Sequence, residues 1–179
     1  MKTPVIETER LILREVRLEF VDDIFNCWMQ DEEVSKYMWW KASNDITEVE
    51  RFVQFELEQI DNEKWNRWII ISKHNAEIVG TCLLFWNDED SYQHWDISYN
   101  LGKKYWGYGY TTEAMIEVIH YAETMLNMKE CITSYAKKNK ASANVLHKLG
   151  FIDEETISYK CSGGDIITEV ICRYLSKNK

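Results

Sequence analysis

The chain has 179 residues, eight of them Trp and ten Tyr, and its formal net charge is −9. This length suits one domain whose core is large enough to fold without disulfides or a structural metal. The acidic balance argues against nucleic acid and anionic membrane surfaces as partners and favours a cationic partner.

The first half of the chain predicts a strand, two helices and a meander of three strands. Alternating apolar residues favour a strand over residues 10–16. Apolar residues spaced three or four apart favour helices over residues 18–30 and 45–60. Strand-like runs then cover residues 67–73, 78–86 and 94–101, and the acidic sequence NDEDSYQ forms the last hairpin loop.

The second half predicts helices that alternate with strands. We expect a helix over residues 111–126, a strand over 130–136, a helix over 140–150 that stops at Gly150, and strands over 151–159 and 165–175. The order βααβββαβαββ describes an α/β fold with a mixed sheet. The strand–helix–strand unit in its middle implies a right-handed crossover and some parallel pairing. Because no repeat or linker interrupts it, residues 1–179 read as one domain.

The cysteines and the hydropathy of the chain indicate the cellular compartment in which the protein is expected. Five cysteines are scattered, and none forms a CxxC pair or a cluster with histidine. This pattern is typical of reduced thiols in a cytosol and predicts no metal site. The N-terminal residues lack the apolar run of a signal peptide, and no segment approaches the roughly 18 apolar residues of a membrane helix. We expect a soluble, cytoplasmic protein.

The sequence LGKKYWGYGYTTEAM, residues 101–115, places two glycines one residue apart where a strand passes into a helix. The first turn of a helix offers unpaired N–H groups and a partial positive charge, which bind phosphate readily. Glycine lets the backbone approach the anion, and Lys103 and Lys104 add local positive charge. The alternative is a glycine turn with no ligand. The dinucleotide fingerprint G-x-G-x-x-G is incomplete because Thr112 replaces its third glycine, and a nucleotide or phosphosugar binder stays a further alternative.

Two motifs carry a resemblance to a known family. KKYWGYGYTTEAM resembles the acetyl-CoA signature Q/R-x-x-G-x-G/A of the GNAT superfamily of N-acetyltransferases, with Lys104 in the Q/R place and Gly107 and Gly109 matching. NKASANVLHKLGF, residues 139–151, resembles the N-x-x-S-x-x-V-L-x-K-L-G-F motif of the RimJ/RimL branch of ribosomal-protein alanine acetyltransferases. The opening IETERLILRE is similar to that branch's first strand. The resemblance implies a GNAT-like acyl-CoA N-acyltransferase fold, whose element order agrees with the one above.

The resemblance also implies transfer of acetyl from acetyl-CoA to an amine. The turn of residues 104–110 would bind the pyrophosphate, the main chain of the last predicted meander strand would pair with the pantetheine amides, and an N–H near Ile97 or Ser98 would hold the thioester carbonyl. The alternative for this strand is an ordinary core strand. The implied cofactor-binding residues are Ser98, Tyr99, Leu101, Lys104, Tyr105, Trp106, Gly107, Tyr108, Gly109, Tyr110 and Asn139.

The catalytic assignments are Asp96 and Ser142. Asp96 stands where the branch carries Glu and is a candidate base or amine-orienting carboxylate, with a solvated strand-end acid as the alternative. His94 and His120 are rivals for the base. Ser142 stands at the branch's serine and is a candidate proton donor to the thiolate; the alternative is a helix-start hydroxyl that binds local backbone.

Two further positions qualify this assignment. The superfamily's acid, a Tyr four residues before the motif's Gly, is replaced by Leu146, so the alternative function is a CoA-binding module of the same fold without efficient turnover. Asn139 is expected to bind the CoA arm, or else to cap the short helix.

The resemblance implies a primary amine as the acceptor, with a protein N-terminus as the first choice, from the branch resemblance alone, and a small polyamine or amine antibiotic as the second. Trp39 and Trp40 follow the predicted first helix and could line an aromatic slot for it, although we expect one of the two in the core. Glu113 should point away from the anion. The acidic NDEDS loop either attracts a cationic acceptor or is a solvated hairpin tip. A homodimer is possible.

Overall fold

In the computed structural model of the chain, residues 3–88, 92–160 and 165–177 are described. The chain divides into two compact units. The first contains Met1–Phe85 and Ser98–Val118, and the second contains Trp86–Ile97 and Ile119–Lys179. Two strands and one helix therefore contribute residues to both units.

The described residues form eight strands and five α-helices. The strands are β1 Ile6–Glu7, β2 Leu11–Arg14, β3 Trp65–Ser72, β4 Ile78–Asn87, β5 His94–Leu101, β6 Glu130–Ala136, β7 Ile152–Lys160 and β8 Ile166–Leu175. The α-helices are α1 Val21–Ile24, α2 Glu32–Ser35, α3 Ile46–Glu58, α4 Tyr110–Met125 and α5 Lys140–Leu149. In these described ranges no helix combines the length and the apolar run that crossing a bilayer requires.

The first unit holds an antiparallel meander. Strands β1, β2, β3 and β4 pair in that order, and the C-terminal half of β5 lies beside β4. Helix α3 begins at its N-cap Asp45, whose side chain accepts a hydrogen bond from the Thr47 N–H. Apolar side chains of α1, α3, β3 and the segments beside them form the core: Val16, Phe20, Ile24, Trp28, Met29, Val34, Val49, Val53, Ile69 and Ile78.

The second unit contains the parallel pair. Trp95 of β5 pairs in parallel with Cys131 of β6, and β6, β8 and β7 follow as antiparallel neighbours. Helix α5 ends at Gly150, whose φ of 94° is the left-handed conformation that glycine adopts most easily. The mixed α/β architecture, the parallel pair and the stop at Gly150 confirm three predictions from the sequence.

The structure differs from the prediction mainly where elements are short. The helix predicted over residues 18–30 is divided into a 3₁₀-helix, Leu18–Phe20, then α1, then a π-helix, Phe25–Met29. Strand β1 and helix α2 were not predicted, because two and four residues are too few to show a hydrophobic period. Part of the predicted hairpin loop, residues 89–91, lies outside the described residues.

Candidate functional site

The glycine turn lies in the first unit, between the 3₁₀-helix Lys103–Tyr105 and helix α4. Gly107 and Gly109 have φ values of 84° and 80°, which side-chain-bearing residues adopt only under strain. A Cβ built on Gly107 meets no heavy atom within 4 Å. The Glu113 N–H donates to the Gly109 carbonyl at 3.0 Å. The N–H groups of the residues just before Glu113 therefore belong to the first turn of the helix, where N–H groups lack a partner within the helix. The turn thus combines open space with helix-start amides, which fits a bound diphosphate.

Aromatic side chains brace this turn. The Trp106 Nε1–H donates to the Leu101 carbonyl at 2.9 Å, which ties the turn to the end of β5. The Tyr108 and Tyr110 rings are stacked with their centres 5.8 Å apart. Tyr105 is buried, whereas Trp106 and Tyr108 are exposed.

Lys104 and Tyr105 share one acidic partner. Lys104 Nζ lies 3.0 Å from Glu77 Oε2, and the Tyr105 hydroxyl donates to the same oxygen. The hydrogen bonds with Tyr105 and Glu77 hold the pKa of Lys104 well above its usual range. The positive charge that the sequence indicated at Lys104 is therefore balanced by Glu77, which sequence spacing alone did not reveal.

Glu113, in the first turn of α4, is balanced in the same way by Arg10. Glu113 Oε2 accepts from Arg10 Nε at 2.6 Å, and Oε1 accepts from the Arg10 backbone N–H at 2.9 Å and from the Thr8 hydroxyl. Partial burial opposes ionisation, but these hydrogen bonds lower the pKa of the Glu113 carboxyl. Sequence reasoning missed Arg10, because 103 residues separate it from Glu113.

The C-terminal half of β5 leads directly into this turn. Ser98 and Tyr99 are half-buried and Leu101 is buried. A Cβ on Gly80 of β4 would lie 2.3 Å from the Asn100 carbonyl oxygen, so only glycine permits this close approach. Among the described residues, the buried Asn100 side-chain nitrogen has no hydrogen-bond partner. The C-terminal half of β5 and the glycine turn therefore form one continuous segment of the first unit.

Asp96 belongs to the second unit and is half-buried on β5. Its Oδ1 accepts from the Ile97 N–H at 2.6 Å. Burial raises the pKa of the Asp96 carboxyl to about 6, although hydrogen bonds from Thr133 and Ile97 oppose the rise. A carboxylate with a pKa near neutrality is suited to take a proton from an amine. The rival His94 is buried with Nδ1 2.7 Å from the Tyr92 carbonyl.

Asn139 and Ser142 open helix α5, also in the second unit. The Asn139 Oδ1 accepts from the Ser142 N–H at 3.1 Å, which confirms the capping role that was one of its two interpretations. Leu146 is 1% exposed and is part of the core. The described residues contain no group of His, Cys, Asp and Glu side chains arranged to hold a metal ion.

The two consecutive tryptophans separate, as predicted. Trp40 is partly buried and packs against the core of the first unit. Trp39 is 85% exposed. Of the two, only Trp39 presents a ring to an incoming molecule.

The chain is similar to known acetyltransferases in sequence and in fold. A family model described as an acetyltransferase (GNAT) domain matches residues 10–152. The uncharacterized N-acetyltransferase p20 of Bacillus licheniformis is 32% identical over 161 residues, which are 89% of this chain and 89% of that protein. The ribosomal-protein-S5-alanine acetyltransferase from Vibrio fischeri has a TM-score of 0.82 at 19% identity, with 98% of each chain covered.

A second solved structure belongs to RimL, a ribosomal L7/L12 alpha-N-protein acetyltransferase in complex with coenzyme A. It has a TM-score of 0.83 at 14% identity and covers 98% of this chain and 100% of that chain. At these identities the two structures establish a shared fold. Their names agree with the branch that the sequence motifs resemble.

Proposed function

Since the chain belongs to the GNAT acetyltransferase family, we propose that it transfers an acetyl group from acetyl-CoA to a primary amine. The observation that carries this proposal is the turn at Gly107 and Gly109, which is held at positive φ before α4 with open space above it. The backbone amides at the start of a helix can bind an anion without help from a cationic side chain. This agrees with the structure, in which the Lys104 ammonium group is paired with Glu77.

The diphosphate would lie on the turn from Lys104 to Tyr110, and the pantetheine amides would pair with the main chain of Tyr99 and Leu101. Support comes from the chain order, because β5 ends at Leu101, directly before the turn that begins at Lys104. The Asn139 side-chain amide would contact the CoA arm while its oxygen caps α5.

The amine has to attack the thioester carbonyl carbon without a proton. We assign Asp96 as the base or amine-orienting group because burial raises its pKa to about 6. The new C–N bond forms as the C–S bond breaks, and Asp96 takes the proton that the nitrogen loses. The departing thiolate takes a proton from Ser142, directly or through water, and Ser142 regains its proton from solvent. The Ile97 N–H is already bound to Asp96, so the Ser98 N–H is the better candidate for the carbonyl oxygen.

The acceptor we favour is a protein N-terminal amine, followed by a small polyamine or amine antibiotic. The exposed ring of Trp39 suits a cationic amine or a peptide end, and the net charge of −9 favours cations in general. Four described cysteines are free thiols, which fits action in the reducing cytoplasm.

The test is thiol release from acetyl-CoA with a panel of peptide N-termini, polyamines and aminoglycosides. Transfer to any amine at a rate well above thioester hydrolysis supports the proposal. A thermal-shift screen with CoA, ADP and sugar phosphates accompanies it, and a preference for the sugar phosphates contradicts the CoA assignment.

A second candidate function is a CoA-binding module without efficient turnover. The observation that favours it is the buried Leu146, which offers no hydroxyl where much of the superfamily has its acid. Tight CoA binding without transfer to any amine in the panel would select this function.

A further inference from the structure

Arg10 contacts Tyr108 and Tyr110, the residues on either side of Gly109 in the glycine turn. Its Nη1 donates to the Tyr108 carbonyl at 3.0 Å. Its Nη2 lies 3.7 Å from a Cβ built on Gly109, and its guanidinium carbon lies 4.8 Å from the centre of the Tyr110 ring. The same guanidinium also binds Glu113 through Nε. One side chain from the start of the chain therefore contacts both the turn and the first turn of the helix that follows it.

The backbone of this segment is itself fixed. The Arg10 N–H donates to Glu113, and the Arg10 carbonyl accepts from the Lys73 N–H at 2.8 Å. The Thr8 carbonyl accepts from Lys73 Nζ at 2.7 Å, and the Thr8 hydroxyl donates to Glu113. The guanidinium therefore extends from an anchored segment.

We infer that Arg10 is a positioning residue for the diphosphate turn, which it holds open through Tyr108 while it neutralises Glu113. The inference rests on the proposed function. A carboxylate in the first turn of α4 stabilises the helix, but it would repel a diphosphate bound to the same amides. Because Glu113 is paired with Arg10, its carboxylate can stay ionised and stabilise the start of α4. The positive charge of Arg10 offsets the repulsion between this carboxylate and the diphosphate.

This role differs from simple fastening of the chain in one measurable respect. If Arg10 only joined two segments of the chain, replacing both Arg10 and Glu113 would weaken CoA binding at least as much as replacing Arg10 alone. If Arg10 also cancels a charge, Arg10→Met leaves the Glu113 carboxylate without its cation beside the diphosphate, and adding Glu113→Gln removes that repulsion. Neutralising Glu113 should therefore partly rescue the Arg10 variant.

The experiment measures the Kd of CoA by calorimetry for the wild type, Arg10→Met, Glu113→Gln and the double variant. Arg17→Met is the matched control, because Arg17 is an N-terminal arginine paired with Glu19 at 3.4 Å. We expect Arg10→Met to weaken CoA binding about tenfold or more, as the loss of charge-assisted hydrogen bonds does. The double variant should recover part of that loss, and Arg17→Met should bind as the wild type does.

A second ligand separates positioning from general loss of structure. Acetyl-pantetheine lacks the diphosphate, so its KM should be the same for Arg10→Met and the wild type. Equal CoA affinity of Arg10→Met and the wild type, or a double variant no better than Arg10→Met, overturns the inference. A wild type that does not bind CoA overturns the proposed function itself.

Discussion

Lys104 and Glu77 form an ion pair at 3.0 Å beside the glycine turn, and Tyr105 donates its hydroxyl to the same carboxylate. The family signature places Gln or Arg where this chain has Lys104, and a direct contact with phosphate is one interpretation of that preference. The observed pair supports another, in which Lys104 fixes the turn through Glu77 and the backbone amides hold the anion.

We therefore predict a small effect of Lys104→Met on CoA binding. Because the side-chain charge is already balanced and exposed, the Kd should rise by less than about fivefold, as for a solvent-exposed ion pair. Titration calorimetry measures the change, with Lys103→Met as the neighbouring control. A loss of a hundredfold at Lys104 alone would instead assign its ammonium group directly to the diphosphate.

Ser142→Ala should lower kcat and leave the Kd of CoA nearly unchanged. The Asn139 cap binds the Ser142 backbone N–H, which alanine retains, so helix α5 should keep its start. Loss of a positioned proton donor typically lowers the rate about 10²-fold or more. Single-turnover thiol release measures it, and Ser134→Ala, an exposed serine on β6, is the control. If the rate stays at the wild-type value, Ser142 has no part in the reaction.

Asp96→Asn should change the stability of the protein in a pH-dependent way. Burial raises the pKa of the folded-state carboxyl from 3.8 to about 6. Such a group contributes stability below its unfolded pKa and loses that contribution as the pH rises through about 6. As the pH rises from about 4 to about 7, the free energy of unfolding of the variant should therefore increase relative to that of the wild type, by at most about 3 kcal/mol.

Urea unfolding at several pH values measures this difference, and Asp153→Asn is a control of opposite sign. Although burial opposes it, hydrogen bonds from His147 and Tyr135 lower the pKa of Asp153, so its variant should lose stability relative to the wild type as the pH rises. In activity, Asp96→Asn should be most impaired above about pH 6, where the wild-type carboxyl is ionised, and below the pKa of the amine, and it should approach the wild type where the amine is already neutral. A constant ratio of the two rates across pH rejects Asp96 as the base.

Trp39→Ala and Trp40→Ala should affect different properties. Trp40 packs against the core, so its loss should reduce stability by about 2 kcal/mol, less than for a fully buried tryptophan. Trp39 is 85% exposed, so its loss should leave the melting temperature unchanged and raise the KM of the amine acceptor. Thermal melting and acceptor titration separate the two. An unchanged KM for every active amine excludes Trp39 from acceptor binding.

Local signals predicted the parts of this molecule that depend on neighbouring residues. The glycine spacing indicated the turn before α4, and Gly150 indicated the end of α5, because positive φ at these positions is a local requirement. The alternation of Leu11 and Leu13, both fully buried, likewise indicated strand β2.

Partners distant in sequence were not predictable in the same way. The contacts of Arg10 with Glu113 and of Glu77 with Lys104 join residues 103 and 27 positions apart, and no periodicity relates them. The π-helix Phe25–Met29 was also missed, since its apolar spacing resembles that of an α-helix. The two long-range contacts depend on tertiary geometry that a single sequence does not encode locally.

Calorimetry with Gly107→Val decides whether bare backbone at Gly107 holds the diphosphate of CoA. Gly150→Ala is the matched control, because Gly150 also has a positive φ, 94°, but ends helix α5. Both variants should remain folded with a stability loss on the order of 1 kcal/mol or somewhat more from the strained φ. Gly107→Val should no longer bind CoA detectably, while Gly150→Ala should bind it as the wild type does. Micromolar CoA affinity in folded Gly107→Val would show that the diphosphate is held elsewhere.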